Sequence, residues 1–188
     1  MGLITLHIKN MVCPRCQTVV RKELQKLGLH PETVELGVVT LRGESTGLAR
    51  GKISAALARH GFVLLDDKKE KTVEQIKNTV IETVHYGDSH RSNLSQLIEE
   101  RIGLDYTYLS SLFSSAEGIT IEKYAILQRV ERVKELLVYD ELSLSQIADQ
   151  LGYSSVQHLS TQFKKITGLT PSYYKQLQEH KRRPLDEI

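Results

Sequence analysis

Leu94-Ser95-Gln96 recurs fifty residues later as Leu144-Ser145-Gln146, and the same offset returns twice more. Leu109-Ser110 reappears as Leu159-Ser160, and Phe113 followed by Gly118-Ile119-Thr120 reappears as Phe163 followed by Gly168-Leu169-Thr170. One offset held through three matches marks a duplicated supersecondary unit. Each copy predicts a helix, a turn at Gly103 or Gly152, and a second helix with Leu and Phe four residues apart on one face. Ala148, four residues before Gly152, is small enough to let two helices cross closely. Between the copies, IEKYAILQRVERVKELL is periodic through Tyr124, Leu127, Val130, Val133, Leu136 and Leu137, a helix able to hold the two units in fixed relation. The last hundred residues are therefore constrained to an all-α domain with two helix-turn-helix units.

Three stretches extend that pattern: Gln128-Arg129-Val130-Glu131-Arg132-Val133-Lys134-Glu135-Leu136-Leu137, then Ser145-Gln146-Ile147-Ala148 with Gly152-Tyr153-Ser154, then Phe163-Lys164-Lys165-Ile166-Thr167-Gly168-Leu169-Thr170-Pro171-Ser172-Tyr173. In these residues the domain closely resembles the AraC-type DNA-binding domain. The resemblance implies a sequence-specific transcription regulator whose partner is double-stranded DNA, with the second helix of each unit entering adjacent major-groove segments. The implied contacts are Tyr106, Thr107, Ser110, Ser111 and Ser114 in the first unit, and Ser155, Val156, Gln157, Ser160, Thr161 and Gln162 in the second. The family commonly presents Arg or Lys here, whereas these helices offer hydroxyls, Tyr, Gln and Thr, so strong bidentate guanine contacts are missing. From residue 89 onward 12 Lys and Arg stand against 13 Asp and Glu, a net of −1, which predicts weak attraction to phosphate. Basic charge is concentrated late, at Lys164, Lys165, Lys175, Lys181, Arg182 and Arg183, where Lys164 and Lys165 can grip one backbone segment. The competing expectation is a domain turned toward protein contacts, with the KRR run a solvated end.

The first 67 residues read differently. Ile4, Leu6 and Ile8 alternate with Thr5, His7 and Lys9, the period of a half-buried strand that leads into the only two cysteines, Cys13 and Cys16. A helical face follows through Val19, Val20, Leu24 and Leu27, stopped by Gly28 and Pro31. TVELGVVTLRG reads as a hairpin turning at Gly37, Leu48, Ile53, Ala56 and Leu57 as a second amphipathic helix ended by Gly61, and FVLL as a last strand. The fold class expected is thus α+β, a ferredoxin-like βαββαβ domain before the all-α domain. The cysteines fall in the first strand-to-helix loop, where a helix N-terminus favours thiolate. Two thiolates at this spacing suit a soft, low-coordination ion such as Cu(I), and zinc less, since it asks for four ligands.

Met11-Val12-Cys13-Pro14-Arg15-Cys16, with Asn10 where Gly is usual and Gly61-Phe62 after the second helix, resembles the heavy-metal-associated domain of copper chaperones and metal-transporting ATPases. The resemblance implies metal ligands at Cys13 and Cys16 and a buried Met11 supporting the loop. Two other readings stand beside it. Cys-Pro-x-Cys opening a helix also resembles glutaredoxin-like oxidoreductases, although the one later proline of this domain, Pro31, lies in the loop ending the same helix. The third reading is a structural or vestigial thiol pair.

Residues 68–92 predict a linker. Val73, Ile76, Val80 and Val84 form one stripe, with Glu74, Gln75, Lys77 and Glu82 off it, giving a helix of about four turns before a break at Gly87, Asp88, Ser89 and Ser92. It reads as a packed linker helix or as a coupling helix, one that would also serve a homodimer. The domains expected are 1–67, 68–92 and 93–188 of a 188-residue chain. With 40% hydrophobic residues, 26% charged and no apolar run near the roughly 20 residues of a membrane helix, no membrane partner is expected. MGLITLHIKN lacks the basic segment and cleavage site of an export signal, so a cytoplasmic location is expected. His7, His30, His60, His85, His90, His158 and His180 are scattered, and neither a His/Asp/Ser constellation nor a phosphate-cradling Gly loop points to an enzyme. The function expected is metal-responsive DNA binding, against a metallochaperone or thiol redox module docked on a protein through its helices.

Overall fold

The computed structural model describes residues 2–42, 50–87 and 93–179, with the side chains of 178 and 179 left aside. Leu48, Asp88, Ser89, His90, Ser92, His180, Lys181, Arg182 and Arg183 lie outside the described residues. The chain divides into two compact units, one of Met1–Thr79 with Ile98–Gly118, the other of Val80–Leu97 with Ile119–Ile188.

In the first unit, β1 (Leu3–Lys9), α1 (Pro14–Lys26), β2 (Pro31–Glu35), β3 (Val38–Arg42), α2 (Arg50–Ala58) and β4 (Val63–Leu65) follow in order. The strands form one small antiparallel sheet ordered β2-β3-β1-β4. Leu6 pairs with Val39 and Ile4 with Leu41, so the alternating apolar residues of β1 share a face with those of β3. Leu6, Ile8, Val39 and Leu41 are buried there, as are Val20 and Leu24 of α1 and Ile53 and Leu57 of α2. Gly37 turns the β2-β3 hairpin in the left-handed region at φ 74° and offers its carbonyl to the Ile8 N–H at 2.9 Å. A Cβ at that position would sit 1.9 Å from Nδ2 of Asn78.

Asn78 belongs to α3 (Lys68–Ile81), which continues as one π-helical turn over Glu82–Tyr86. Val73, Ile76, Val80 and Val84 are buried, as their stripe predicts. Glu74 is a correction: expected off the buried stripe, it is only 6% exposed, because its carboxylate accepts from the Asn10 backbone. Thr72, Asn78 and Thr79 are buried beside it, so α3 is covered well beyond its apolar stripe. α4 (Leu94–Ile102) turns at Gly103, φ 73°, into α5 (Tyr106–Glu117), whose Leu109 and Phe113 are fully buried.

In the second unit, α6 (Ile121–Tyr139), α7 (Leu144–Gln150), α8 (Val156–Thr167) and α9 (Pro171–Glu179) build one core. Val130, Val133, Leu136 and Leu137 of α6 pack with Ile147, Ala148, Leu151, Tyr153, Leu159 and Phe163. The ring of Phe163 meets Tyr174 edge to face at 5.6 Å. Local sequence sets the helix ends: Ser143 and Gln146 close a reciprocal capping box on α7, and Thr120 caps α6. The π-turn residue His85 reaches Oε1 of Gln128 on α6 through Nε2 at 3.1 Å. Among the described residues no helix is long and apolar enough to cross a membrane.

Candidate functional site

Two groups of candidate residues are placed by these elements. The first is the dithiol. Asn10 follows β1 in the left-handed region at φ 73°, a conformation Gly or Asn tolerates best. Its N–H donates to Glu74 Oε1 at 3.0 Å, and its side-chain Nδ2 donates to the Gly61 carbonyl at 2.8 Å. Met11 is fully buried, so the loop is held on both sides of the chain.

Cys13 is the N-cap of α1 and Pro14 its first residue. Proline's preset φ starts the helix here, which corrects the expectation that both cysteines sit in the loop: Cys16 lies in the first helical turn. Leu27, expected on the buried face, is the exposed C-cap of this helix, since Gly28 ends the helix before another turn can cover it. The two sulfurs are 3.1 Å apart as free thiols, neither sealed in the core nor fully exposed. Burial raises the Cys13 pKa, but the Cys16 thiol donating to it, the N–H groups of Cys16 and Arg15, and the Arg15 charge together bring it below the usual value. Burial and that same hydrogen bond push Cys16 up. Cys13 is thus the better thiolate and Cys16 its donor. Among the described residues no group of three or more His, Cys, Asp or Glu gathers in a metal-holding arrangement.

The second group lies on α5 and α8. Both helices have twelve residues, a side-chain N-cap and a left-handed Gly C-cap. Asp105 accepts from the N–H groups of Thr107 and Tyr108, Ser155 from that of His158, and Gly118 and Gly168 close the helices at φ 70° and 78°. On α8, Leu159 and Phe163 face the core; at 3.6 residues per turn Gln157, Thr161, Lys164 and Lys165 fall opposite, and all four are exposed. Ser155 and Val156 are exposed at the start of the helix and Ser160 is half-buried at its flank. Gln162 is half-buried and its Oε1 accepts from the Tyr153 hydroxyl at 2.8 Å, which turns it toward the core side of the helix. On α5, Thr107 and Ser111 are exposed, Ser110 and Ser114 half-buried. Tyr106 is half-buried and its N–H is held by Glu99 Oε1 at 2.6 Å.

The sequence offers His158 only as one of seven scattered histidines, with no sign of a role. It is exposed in the first turn of α8, with Nδ1 3.1 Å from the Ser154 hydroxyl and its ring edge to face with Tyr153 at 5.3 Å. Glu74 was missed too, since nothing in its local pattern announces a partner 64 residues away.

Residues 98–177 match a family model described as a helix-turn-helix domain. Over 103 residues the chain is 29% identical to the uncharacterized HTH-type transcriptional regulator YtdP of Bacillus subtilis, a match covering 55% of this chain and 13% of that protein. The C-terminal domain of AraT, a response regulator from Geobacillus stearothermophilus, superposes with a TM-score of 0.51 and 25% identity, covering 59% of this chain and 88% of that one. The DNA-binding domain of the global transcriptional factor AdpA, solved with a target DNA, shares the fold at a TM-score of 0.50 and 20% identity, over 57% of this chain and 96% of that one. The chain spans less than half the length of the curated relatives it matches. The stretch from 98 to 177, with its capped and glycine-closed helices, thus matches a helix-turn-helix domain.

Proposed function

We propose that this chain is a sequence-specific, DNA-binding transcription regulator without enzymatic activity, whose N-terminal domain answers to a soft metal ion held by Cys13 and Cys16. The observation that carries the DNA half is the exposed stripe Gln157, Thr161, Lys164 and Lys165 on a helix whose opposite face is locked into the core. Such a helix is rigid and polar on the side a major groove would meet, with two cations for phosphate. The names of its relatives as transcriptional regulators support the same reading.

The element order and the β2-β3-β1-β4 strand order support a ferredoxin-like, heavy-metal-associated reading of the first domain. The donor set is two thiols without further gathered ligands among the described residues, which fits Cu(I) better than four-coordinate zinc. When bound, the ion would supply charge neutralisation of two thiolates and a fixed spacing between them. The chain's own part is done by Asn10, Met11 and Pro14, which hold the loop that presents the sulfurs. Coupling requires the ion to favour one arrangement of that loop over another.

A second reading, a thiol redox module docked on a protein partner, is favoured by the 3.1 Å sulfur separation and the unequal acidity of the two thiols. Fluorescence-anisotropy titration of the full chain against duplex DNA over a salt series, with and without Cu(I), separates the two. The regulator reading expects affinity to fall steeply with salt, and Cu(I) to shift it in the wild type but not in Cys13→Ser/Cys16→Ser. Absence of any salt-sensitive duplex binding would sink it and leave the redox reading.

A further inference from the structure

We infer that the two helix-turn-helix units have parted in role, α8 supplying the grip on DNA and α5 serving as the face on which α3 is held. This rests on the DNA-binding reading above. The fifty-residue repeat makes the comparison a direct one: N-caps Asp105 and Ser155, buried Leu109-Phe113 and Leu159-Phe163, and C-caps Gly118 and Gly168 stand at matching places. Outward positions therefore correspond one to one. Thr107 answers to Gln157, Ser111 to Thr161, Ser114 to Lys164, Ser115 to Lys165 and Glu117 to Thr167.

At the two places where α8 offers exposed lysines, α5 offers serines, and α5 carries no Lys or Arg along its whole length. Its one charge is negative. Glu117 would repel a phosphate, but here its Oε1 is 2.7 Å from Nζ of Lys77 on α3, with both side chains largely covered. Ser115, the counterpart of Lys165, lines a groove of about 370 Å³ together with Leu112, Ala116 and Glu117. The rest of its lining is Lys9 of β1 with Lys69, Glu70, Val73 and Glu74 of α3, so the basic charge here comes from those elements and not from α5. The turn of α5 that corresponds to the lysine-bearing turn of α8 thus faces α3 across this groove and is tied to it by the Lys77–Glu117 pair, α3 being the helix whose Glu74 also holds the Asn10 loop before the cysteines.

The test uses the full chain and a duplex selected in vitro from a random pool of about 30 base pairs, long enough for two major-groove segments. Gln157→Ala/Thr161→Ala is expected to lower affinity about tenfold or more, and Thr107→Ala/Ser111→Ala to change it less than about threefold. Lys164→Ala/Lys165→Ala is expected to lower the slope of log affinity against log salt by about 1.8, close to 0.9 per lysine. Hydrogen exchange read on the α3 amides is expected to quicken in Glu117→Gln and to stay unchanged in Thr107→Ala/Ser111→Ala. A tenfold loss in the α5 double variant, or α3 exchange indifferent to Glu117→Gln, overturns the inference while leaving the regulator reading intact. A wild-type chain that selects no duplex at all overturns both, and that arm is read without any variant.

Discussion

The carboxylate of Glu74 accepts the backbone N–H of Asn10 at 3.0 Å, and one turn further along α3 the Lys77 ammonium meets the Glu117 carboxylate at 2.7 Å. Four residues of one helix thus touch both the loop that leads to Cys13 and the last turn of α5. Removing the carboxylate would leave a partly buried N–H without its acceptor, which costs about 1–3 kcal/mol. Urea unfolding is expected to show Glu74→Ala less stable by that amount, with Glu74→Gln, which keeps an acceptor oxygen, closer to the wild type. Equal loss in both variants would mean that the charge, not the hydrogen bond, matters.

Gly37 lies against the Asn78 side chain of α3, with no room for a side chain of its own. Gly37 is left-handed at φ 74°, and an added Cβ would lie 1.9 Å from Asn78 Nδ2 and 3.4 Å from the Ile8 carbonyl. Gly37→Ala is expected to destabilise by about 2 kcal/mol or more, part of it backbone strain and part collision. The Asn78 amide is buried and has no hydrogen-bond partner among the described residues, so Asn78→Ala removes two unsatisfied polar atoms as well as the obstacle. In a double-mutant cycle by thermal unfolding, Gly37→Ala is expected to cost less on the Asn78→Ala background. Strict additivity would show that strain at Gly37 is the whole effect.

Cys13 is expected to be the first thiol alkylated near neutral pH. Its pKa lies below the usual thiol value and that of Cys16 above it, so as pH rises Cys13 ionises first. Timed iodoacetamide labelling read by mass spectrometry checks the order. Cys16→Ser replaces the thiol donor and is expected to shift the Cys13 labelling profile, and initial labelling at Cys16 would contradict the assignment. Because both sulfurs must shed protons to hold an ion, Cu(I) affinity is expected to rise with pH up to the Cys16 ionisation.

In the second unit, Phe163→Ala should cost about 3–5 kcal/mol, since the ring is fully buried and packs edge to face on Tyr174. Tyr153→Phe removes the hydroxyl that holds Gln162 but keeps a ring of the same shape beside His158, so about 1 kcal/mol is expected. Chemical denaturation followed by circular dichroism measures both; a Tyr153→Phe loss as large as that of Phe163→Ala would make the hydroxyl, not the ring, the anchor of α8.

Most helices and strands were legible because their signals are local. Leu109 and Phe113, or Leu159 and Phe163, reveal a buried helical face by spacing alone. The alternation of Ile4, Leu6 and Ile8 reveals β1 for the same reason. Glu74 was not legible. A glutamate on a helix is ordinarily solvated, and what buries this one is a backbone N–H more than sixty residues earlier in the chain. The start of α1 at Pro14 was half legible, since Pro favours the first helical position while the two cysteines drew attention to the loop.

Chain order and residue spacing alone determined that this protein carries a duplicated helical pair behind a small mixed domain with two thiols one helical turn apart, because periodicity and capping act over a few residues. Only the tertiary structure decided which polar side chains are sheltered and by what, Glu74 by the Asn10 loop and Glu117 by Lys77. Those properties depend on distances between groups remote in sequence, and hydrogen bonds and ion pairs fall off too steeply with distance for composition to foretell them.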